Sequence, residues 1–271
     1  MARLATTRSS EAYTGGYTPW LEGISPRHFP DFNWHYPHIT AVRTALARVT
    51  RGECKRLIIS MAPQHGKSSI LTVPYPVYRL ARDPKLRVAV GGYSQTHANR
   101  FSRKSRRIAA DCLHLSRERK AVNEWETAEG GYYVAVGKGA GITGLPVDLL
   151  IIDDPHSEQD IKTGTRLPFD MAWSWYQTGP RQRLMWGGAI VLVMTRWSTF
   201  DLCARMLDYA AKNPDADQWE VIEFPAIMPS GKALWPQKWS LEALLRTKAS
   251  LDPKYWTAQY MQDPSSDEAA I

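Results

Sequence analysis

Arg56-Leu57-Ile58-Ile59-Ser60-Met61-Ala62-Pro63-Gln64-His65-Gly66-Lys67-Ser68-Ser69 runs from a short apolar strand into a loop ending in Gly-Lys-Ser. Strand, glycine bend and helix in that order form a nucleotide-phosphate cradle. Gly66 lets backbone approach a phosphate, Lys67 supplies a point charge for the β and γ oxygens, and Ser68 can set its hydroxyl on Mg²⁺. Pro63, Gln64, His65 and Gly66 make the bend. Lys67, Ser68 and Ser69 open the helix, whose N–H groups and positive dipole end face the anion. One position departs from the pattern: Met61 stands where the first glycine is expected. Pro74 and Pro76 predict a short helical segment, a kink, then continuation through Tyr78–Ala81.

Three further apolar runs extend the reading. Val147-Asp148-Leu149-Leu150-Ile151-Ile152 ends in Asp153-Asp154, where one acid can hold Mg²⁺ opposite the loop hydroxyl and the other can polarise a water. An Asp-Asp-Pro turn after a strand is the plainer alternative. Ala189–Met194 is a buried strand leading into Thr195-Arg196, and Arg87–Tyr93 is another, its Gly91-Gly92 implying close backbone approach. Ligands of open parallel sheets bind outside the strands' carboxyl ends, so the cradle, the acid pair and Thr195-Arg196 are expected to converge. Strands alternating with helical stretches predict an α/β fold with a mainly parallel central sheet flanked by helices.

The 271 residues suffice for a substantial core. The apolar runs are strand-length, and no signal peptide is visible at Met1-Ala2-Arg3. Cys54, Cys112 and Cys203 lack ligand spacing, which fits a reducing, intracellular setting. Net charge is +7, unevenly spread: eight basic residues lie between Arg100 and Lys120 against Asp111 and Glu118. Arg100, Arg103 and Arg107 share one helical face, which suits a DNA backbone, a γ-phosphate contact, or simply solvent.

These motifs, in this order, resemble the ATPase domain of the large terminase subunit of tailed bacteriophages, from about Phe32 to Pro264. The likeness rests on Asn33-Trp34-His35, the Arg56–Ser68 stretch, Gly92-Tyr93-Ser94-Gln95 with Phe101-Ser102-Arg103-Lys104, and Gly141-Ile142-Thr143-Gly144 before Leu149–Pro155. It continues through Gly187–Val191, Thr195-Arg196-Trp197, Asp201-Leu202, Phe224-Pro225-Ala226-Ile227, Leu234-Trp235-Pro236 and Ala258–Pro264. In that family the first glycine of the cradle is commonly replaced, so Met61 is no departure from it.

The resemblance implies a P-loop NTPase fold of the ASCE type, with a small C-terminal subdomain, that couples Mg²⁺-dependent ATP hydrolysis to translocation of double-stranded DNA into a procapsid. It implies Lys67 and Ser68 on the phosphates and Mg²⁺, Asp153 on the metal, Asp154 as catalytic base where many relatives have Glu, and Thr195 and Arg196 as the coupling motif. Trp34 and His35 would hold the adenine, the plainer alternative being that Trp34 caps the core under the following helix. Relatives carry an arginine finger where this chain has Pro63, or Thr143-Gly144. A finger is therefore expected from Arg100, Arg103, Arg107 or Arg196, within the chain or across a ring contact. Implied partners are double-stranded DNA, the portal protein, the small terminase subunit and copies of the chain in a ring. The implied location is the host cell cytoplasm.

Expected boundaries are an N-terminal extension over 1–30, the ATPase core over 31–217, an appended subdomain over 218–264, and at 265–271 the start of a linker to a nuclease domain that is expected to be absent. The aromatic load of the subdomain (Trp235, Trp239, Tyr255, Trp256) reads as packing. Two other readings stay open: a helicase-like nucleic-acid-dependent ATPase, and a basic DNA-binding module with a degenerate cradle.

Overall fold

Aliphatic and β-branched runs form strands buried on both faces, and the intervening helices cover those faces. The computed structural model describes residues 12–142 and 144–264, apart from the Lys120 side chain. Helices α1 (Tyr17–His28) and α2 (Pro37–Thr50) precede β1 (Arg56–Met61). A π turn, Ser68–Thr72, leads into α3 (Pro74–Arg82), β2 (Arg87–Gly92) and the long α4 (Gln95–Cys112). Then come β3 (Leu115–Lys120), β4 (Glu124–Thr127), β5 (Tyr132–Gly137) and β6 (Val147–Asp153). Short α5 (Glu158–Lys162), α6 (Leu167–Thr178) and α7 (Pro180–Arg183) lead to β7 (Leu184–Met194), α8 (Leu202–Lys212) and β8 (Glu220–Phe224). The described chain ends with α9 (Leu241–Ala249), α10 (Pro253–Tyr255) and a second π turn, Trp256–Tyr260.

All eight strands form one sheet in the order β3-β4-β5-β2-β6-β7-β1-β8. Pairings from β5 through β8 are parallel, and β3 and β4 add an antiparallel edge. Strand β7 is inserted between the loop-bearing β1 and the acid-bearing β6, as the ASCE type of P-loop fold requires. Side chains alternate with the pleat. Leu57, Ile59, Val191 and Val193 pack under α1 to α4, while Ile58, Ile190, Leu192 and Met194 pack under α6 and α8.

The kink after the cradle is where Pro74 predicts it. The π turn closes through Val73 N–H to Ser68 O at 3.0 Å, and α3 starts at Pro74 with both prolines in its first turn, where no helical donor is needed.

Two stretches near the expected boundaries belong to the main body of the fold. Within the expected 1–30 extension, Tyr17, Trp20, Leu21 and Ile24 of α1 are buried, with Tyr17 against the rings of Tyr75 and Tyr78 on α3 and Trp20 against Tyr78. Residues 1–11 of the expected extension lie outside the described residues, as do Thr143 and 265–271. Arg100, Arg103 and Arg107 all lie on α4, which ends at Cys112, while Arg117 and Arg119 lie on edge strand β3. Finally, the core does not stop at 217, because β8 pairs in parallel with β1 and completes the sheet. The subdomain proper follows Phe224, around a small core of Ala226, Ala233, Leu244 and Trp256 that also takes in Ala62 of the loop.

Candidate functional site

The carboxyl ends of β1, β6 and β7 meet at a cleft of about 820 Å³. Its lining includes Pro63, Gln64, Gly66, Lys67, Ser68 and Ser69 from the loop, together with Asp154 and Thr195. The loop turns through two left-handed residues, Gln64 (φ 59°) and Gly66 (φ 96°). At Gly66 a Cβ would also stand 3.3 Å from Ile39 and Phe32, so conformation and space both call for glycine. Met61 is accommodated because its side chain is buried in the core and only its carbonyl takes part.

Lys67 is buried. Its ammonium donates to Thr195 Oγ1 at 2.5 Å and Met61 O at 3.0 Å, and lies 3.8 Å from Asp154 Oδ2. Thr195 Oγ1 in turn donates to Met61 O at 3.3 Å. Asp154 has a left-handed φ of 43°, a conformation Asp tolerates better than most residues. Its Oδ1 accepts the Thr195 N–H at 2.7 Å, leaving Oδ2 on the lysine side. The twisted backbone and the Thr195 N–H therefore set the direction of this short side chain.

Asp153 is fully buried behind the cleft lining. One oxygen accepts from the Thr72 hydroxyl, and Oδ1 has no protein partner. Burial, and then the negative charge of Asp154, push its carboxyl up to about 7, while Thr72, Ser68 and Lys67 oppose the shift. A buried carboxylate oxygen without a partner, next to a serine hydroxyl, is a donor set suited to Mg²⁺ completed by phosphate and water. The residues present thus fit the metal. Gly92 explains the close approach at the end of β2: a Cβ there would stand 2.9 Å from His97 Nδ1 and 3.5 Å from Asp153 O.

Several expected site residues lie elsewhere. Trp34 is only 3% exposed, packs against Phe29 and Phe32, and donates its indole N–H to Ser25 Oγ at 2.9 Å. His35 is exposed beside Glu22, at 3.6 Å. Neither lines the cleft. The aromatic surface there comes instead from Phe32, Tyr36, Trp197 and Trp235. Trp235 also packs, as expected, against Phe32 and Tyr36.

The His65 side chain turns away from the cleft. Its Nδ1 pairs with Pro63 O at 2.8 Å and its ring stacks on Trp239, while burial holds its pKa down. Arg196 does not line the cleft. Its guanidinium is buried against Asp201 at 2.9 Å with Glu223 at 3.8 Å, and Asp201 and its neighbours keep it charged although burial works the other way. Its backbone N–H donates to Gln262 Oε1 at 3.2 Å, which ties the end of β7 to the C-terminal subdomain. Arg100, Arg103 and Arg107 are exposed on α4, outside the cleft lining. Among the described residues no arginine lines the cleft.

The lining residues to which sequence reasoning gave no site role are Asp31, Phe32, Tyr36, Trp197 and, from the subdomain, Trp235, Gln237, Lys238 and Gln259. Trp197, Trp235 and Gln259 fall within stretches that carry the family likeness, but nothing local marks them as facing the cleft.

Comparison with solved structures places this architecture. The Thermus phage P74-26 large terminase ATPase domain superposes with a TM-score of 0.55 at 12% identity, covering 97% of this chain and 100% of that one. A large terminase from a thermophilic bacteriophage, solved in complex with ADP, gives 0.51 at 10% identity, covering 80% of this chain and 52% of that one. This chain therefore spans about half the length of that second protein. No protein-family model and no curated protein matches the sequence. The fold is that of large terminase ATPase domains.

Proposed function

We propose that the chain is the ATPase motor domain of a viral DNA-packaging terminase, hydrolysing ATP and coupling turnover to movement of double-stranded DNA. The observation that carries this reading is the convergence of Lys67, Asp154 and Thr195 on one cleft, backed by the partnerless buried oxygen of Asp153.

The substrate's triphosphate lies along the loop, with the backbone of Pro63–Lys67 around the phosphates and the Lys67 ammonium moving from Met61 O and Thr195 Oγ1 to phosphate oxygens. Ser68 and Asp153 would hold Mg²⁺, which would supply charge neutralisation at the triphosphate. Asp154, aimed by the Thr195 N–H, accepts the proton of the attacking water. Phe32 and Tyr36 offer the adenine an aromatic surface.

Thr195 Oγ1 contacts both Lys67 and Met61 O, and the next residue, Arg196, reaches Gln262, so a change at the phosphates has a short route to the subdomain. With no arginine lining the cleft among the described residues, the finger comes from a neighbouring copy in a ring. The exposed Arg100, Arg103 and Arg107 are candidates for that role or for DNA contact. The portal protein and the small terminase subunit are the proposed further partners, in the host cytoplasm.

The test is steady-state ATP turnover with and without double-stranded DNA. Turnover stimulated by DNA and abolished in Lys67→Ala supports the proposal. Wild-type turnover in Lys67→Ala contradicts it.

A further inference from the structure

Two positively charged side chains line the cleft among the described residues, Lys67 and Lys238. Lys67 is enclosed by the end of β1 and by Thr195. Lys238 is different: it is exposed and comes from the subdomain. Its Nζ donates to the carbonyl of Gln64 at 2.8 Å and lies 5.0 Å from the centre of the Trp235 ring. Gln64 is a left-handed residue of the phosphate loop and lines the same cleft, so the ammonium is tied to the backbone of the cradle.

The base of this side chain is well fixed. Backbone N–H groups of Lys238 and Trp239 both donate to Trp235 O, at 3.1 and 2.8 Å. Trp235 packs against Phe32 and Tyr36, and Trp239 stacks on His65 of the loop itself. A flexible four-carbon stem with three rotatable donors is thus mounted on a rigid aromatic platform at the mouth of the cleft.

We infer that Lys238 is a phosphate-contacting residue, which exchanges the Gln64 carbonyl for the outermost oxygens of a bound nucleoside triphosphate. The inference rests on the nucleotide reading of the cleft. An ammonium bonded to a neutral carbonyl gains more from an anionic oxygen, since hydrogen bonds with both partners charged are stronger. Lys67, at the end of β1 beside Asp154, serves the β and γ oxygens from within the cleft. Lys238 adds a second cation at the terminal phosphate from the subdomain side, so the subdomain that carries it responds to whether that phosphate is present.

Equilibrium binding of fluorescent ADP and of a non-hydrolysable fluorescent ATP analogue tests this on the full chain, with Lys238→Ala, Lys238→Arg and Lys67→Ala beside wild type. Lys238→Ala is expected to weaken the triphosphate analogue about tenfold and ADP no more than about threefold. Lys238→Arg is expected to restore most of the loss, and the unfolding midpoint without nucleotide should not change. Lys238→Ala that binds both ligands as wild type does, or weakens both equally while lowering the unfolding midpoint, overturns the inference. Loss of binding in Lys67→Ala alongside that result leaves the site reading intact, whereas wild-type binding in Lys67→Ala overturns both.

Discussion

Lys67 and Thr195 meet at the carboxyl edge of the sheet: the ammonium donates to the threonine hydroxyl at 2.5 Å, and that hydroxyl donates to Met61 O at 3.3 Å. The inserted strand β7 brings them together, by setting Thr195 beside the end of β1. Thr195→Val keeps the shape and removes the hydroxyl. It is expected to lower kcat by about 10- to 100-fold, the scale of a misplaced catalytic group, with little change in nucleotide affinity. Steady-state kinetics set beside equilibrium nucleotide binding separates the two effects, and Thr195→Ser is expected to recover most of the rate.

Phe32 and Tyr36, rather than Trp34, face the cleft. Tyr36→Ala is expected to weaken nucleotide binding by about 1–2 kcal/mol, roughly tenfold. Trp34→Phe should leave affinity unchanged and cost about 1 kcal/mol of stability through the lost bond to Ser25. Binding titrations and urea denaturation of both variants check the pair.

Arg196 is held by Asp201, which is fully buried. Truncating the arginine leaves that carboxylate without its cation. Arg196→Ala is therefore expected to lose roughly 3–5 kcal/mol of folding stability. Urea unfolding measures it. A variant of wild-type stability whose turnover alone has collapsed would point back to a finger role.

His38 is buried against Trp235 with both ring nitrogens unpartnered, and burial, reinforced by the neighbouring His65, lowers its pKa to about 4. The folded chain thus binds this proton less readily than the unfolded chain, whose histidine titrates near 6.5. Stability from this group is complete above about pH 6.5 and falls as pH drops toward 4, by on the order of 2 kcal/mol after solvent screening. Urea midpoints between pH 4 and 8 should show that slope, flattened in His38→Phe.

How much of this was legible in the sequence depends on what each residue answers to. Leu57–Ile59, Leu149–Ile152 and Ile190–Val193 declare themselves as strands because both of their faces are buried. The residues that end them are local to the chain, so Lys67, Asp153, Asp154 and Thr195 can be read directly. Trp34 could not be told from Phe32, because two aromatics in an irregular loop are sorted only by what packs around them. Arg196 depends on Asp201, an acid that also caps α8 and so has a local reading of its own. Lys238 reaches the cleft only because β8 joins the sheet beside β1 and the following chain folds back over the loop. The strands β3 and β4 are short and polar, and the basic residues of β3 lie close behind those of α4, so composition alone does not separate the two elements.

The central claim, that Asp154 activates water for a nucleotide held by the loop, is tested most directly by single-turnover ATP hydrolysis in Asp154→Asn with DNA and Mg²⁺ present. The substitution keeps an oxygen for the Thr195 N–H while removing the charge. Nucleotide affinity within about threefold of wild type and a hydrolysis rate lowered by at least about 100-fold is the predicted result. A variant that binds and hydrolyses at the wild-type rate would contradict the account.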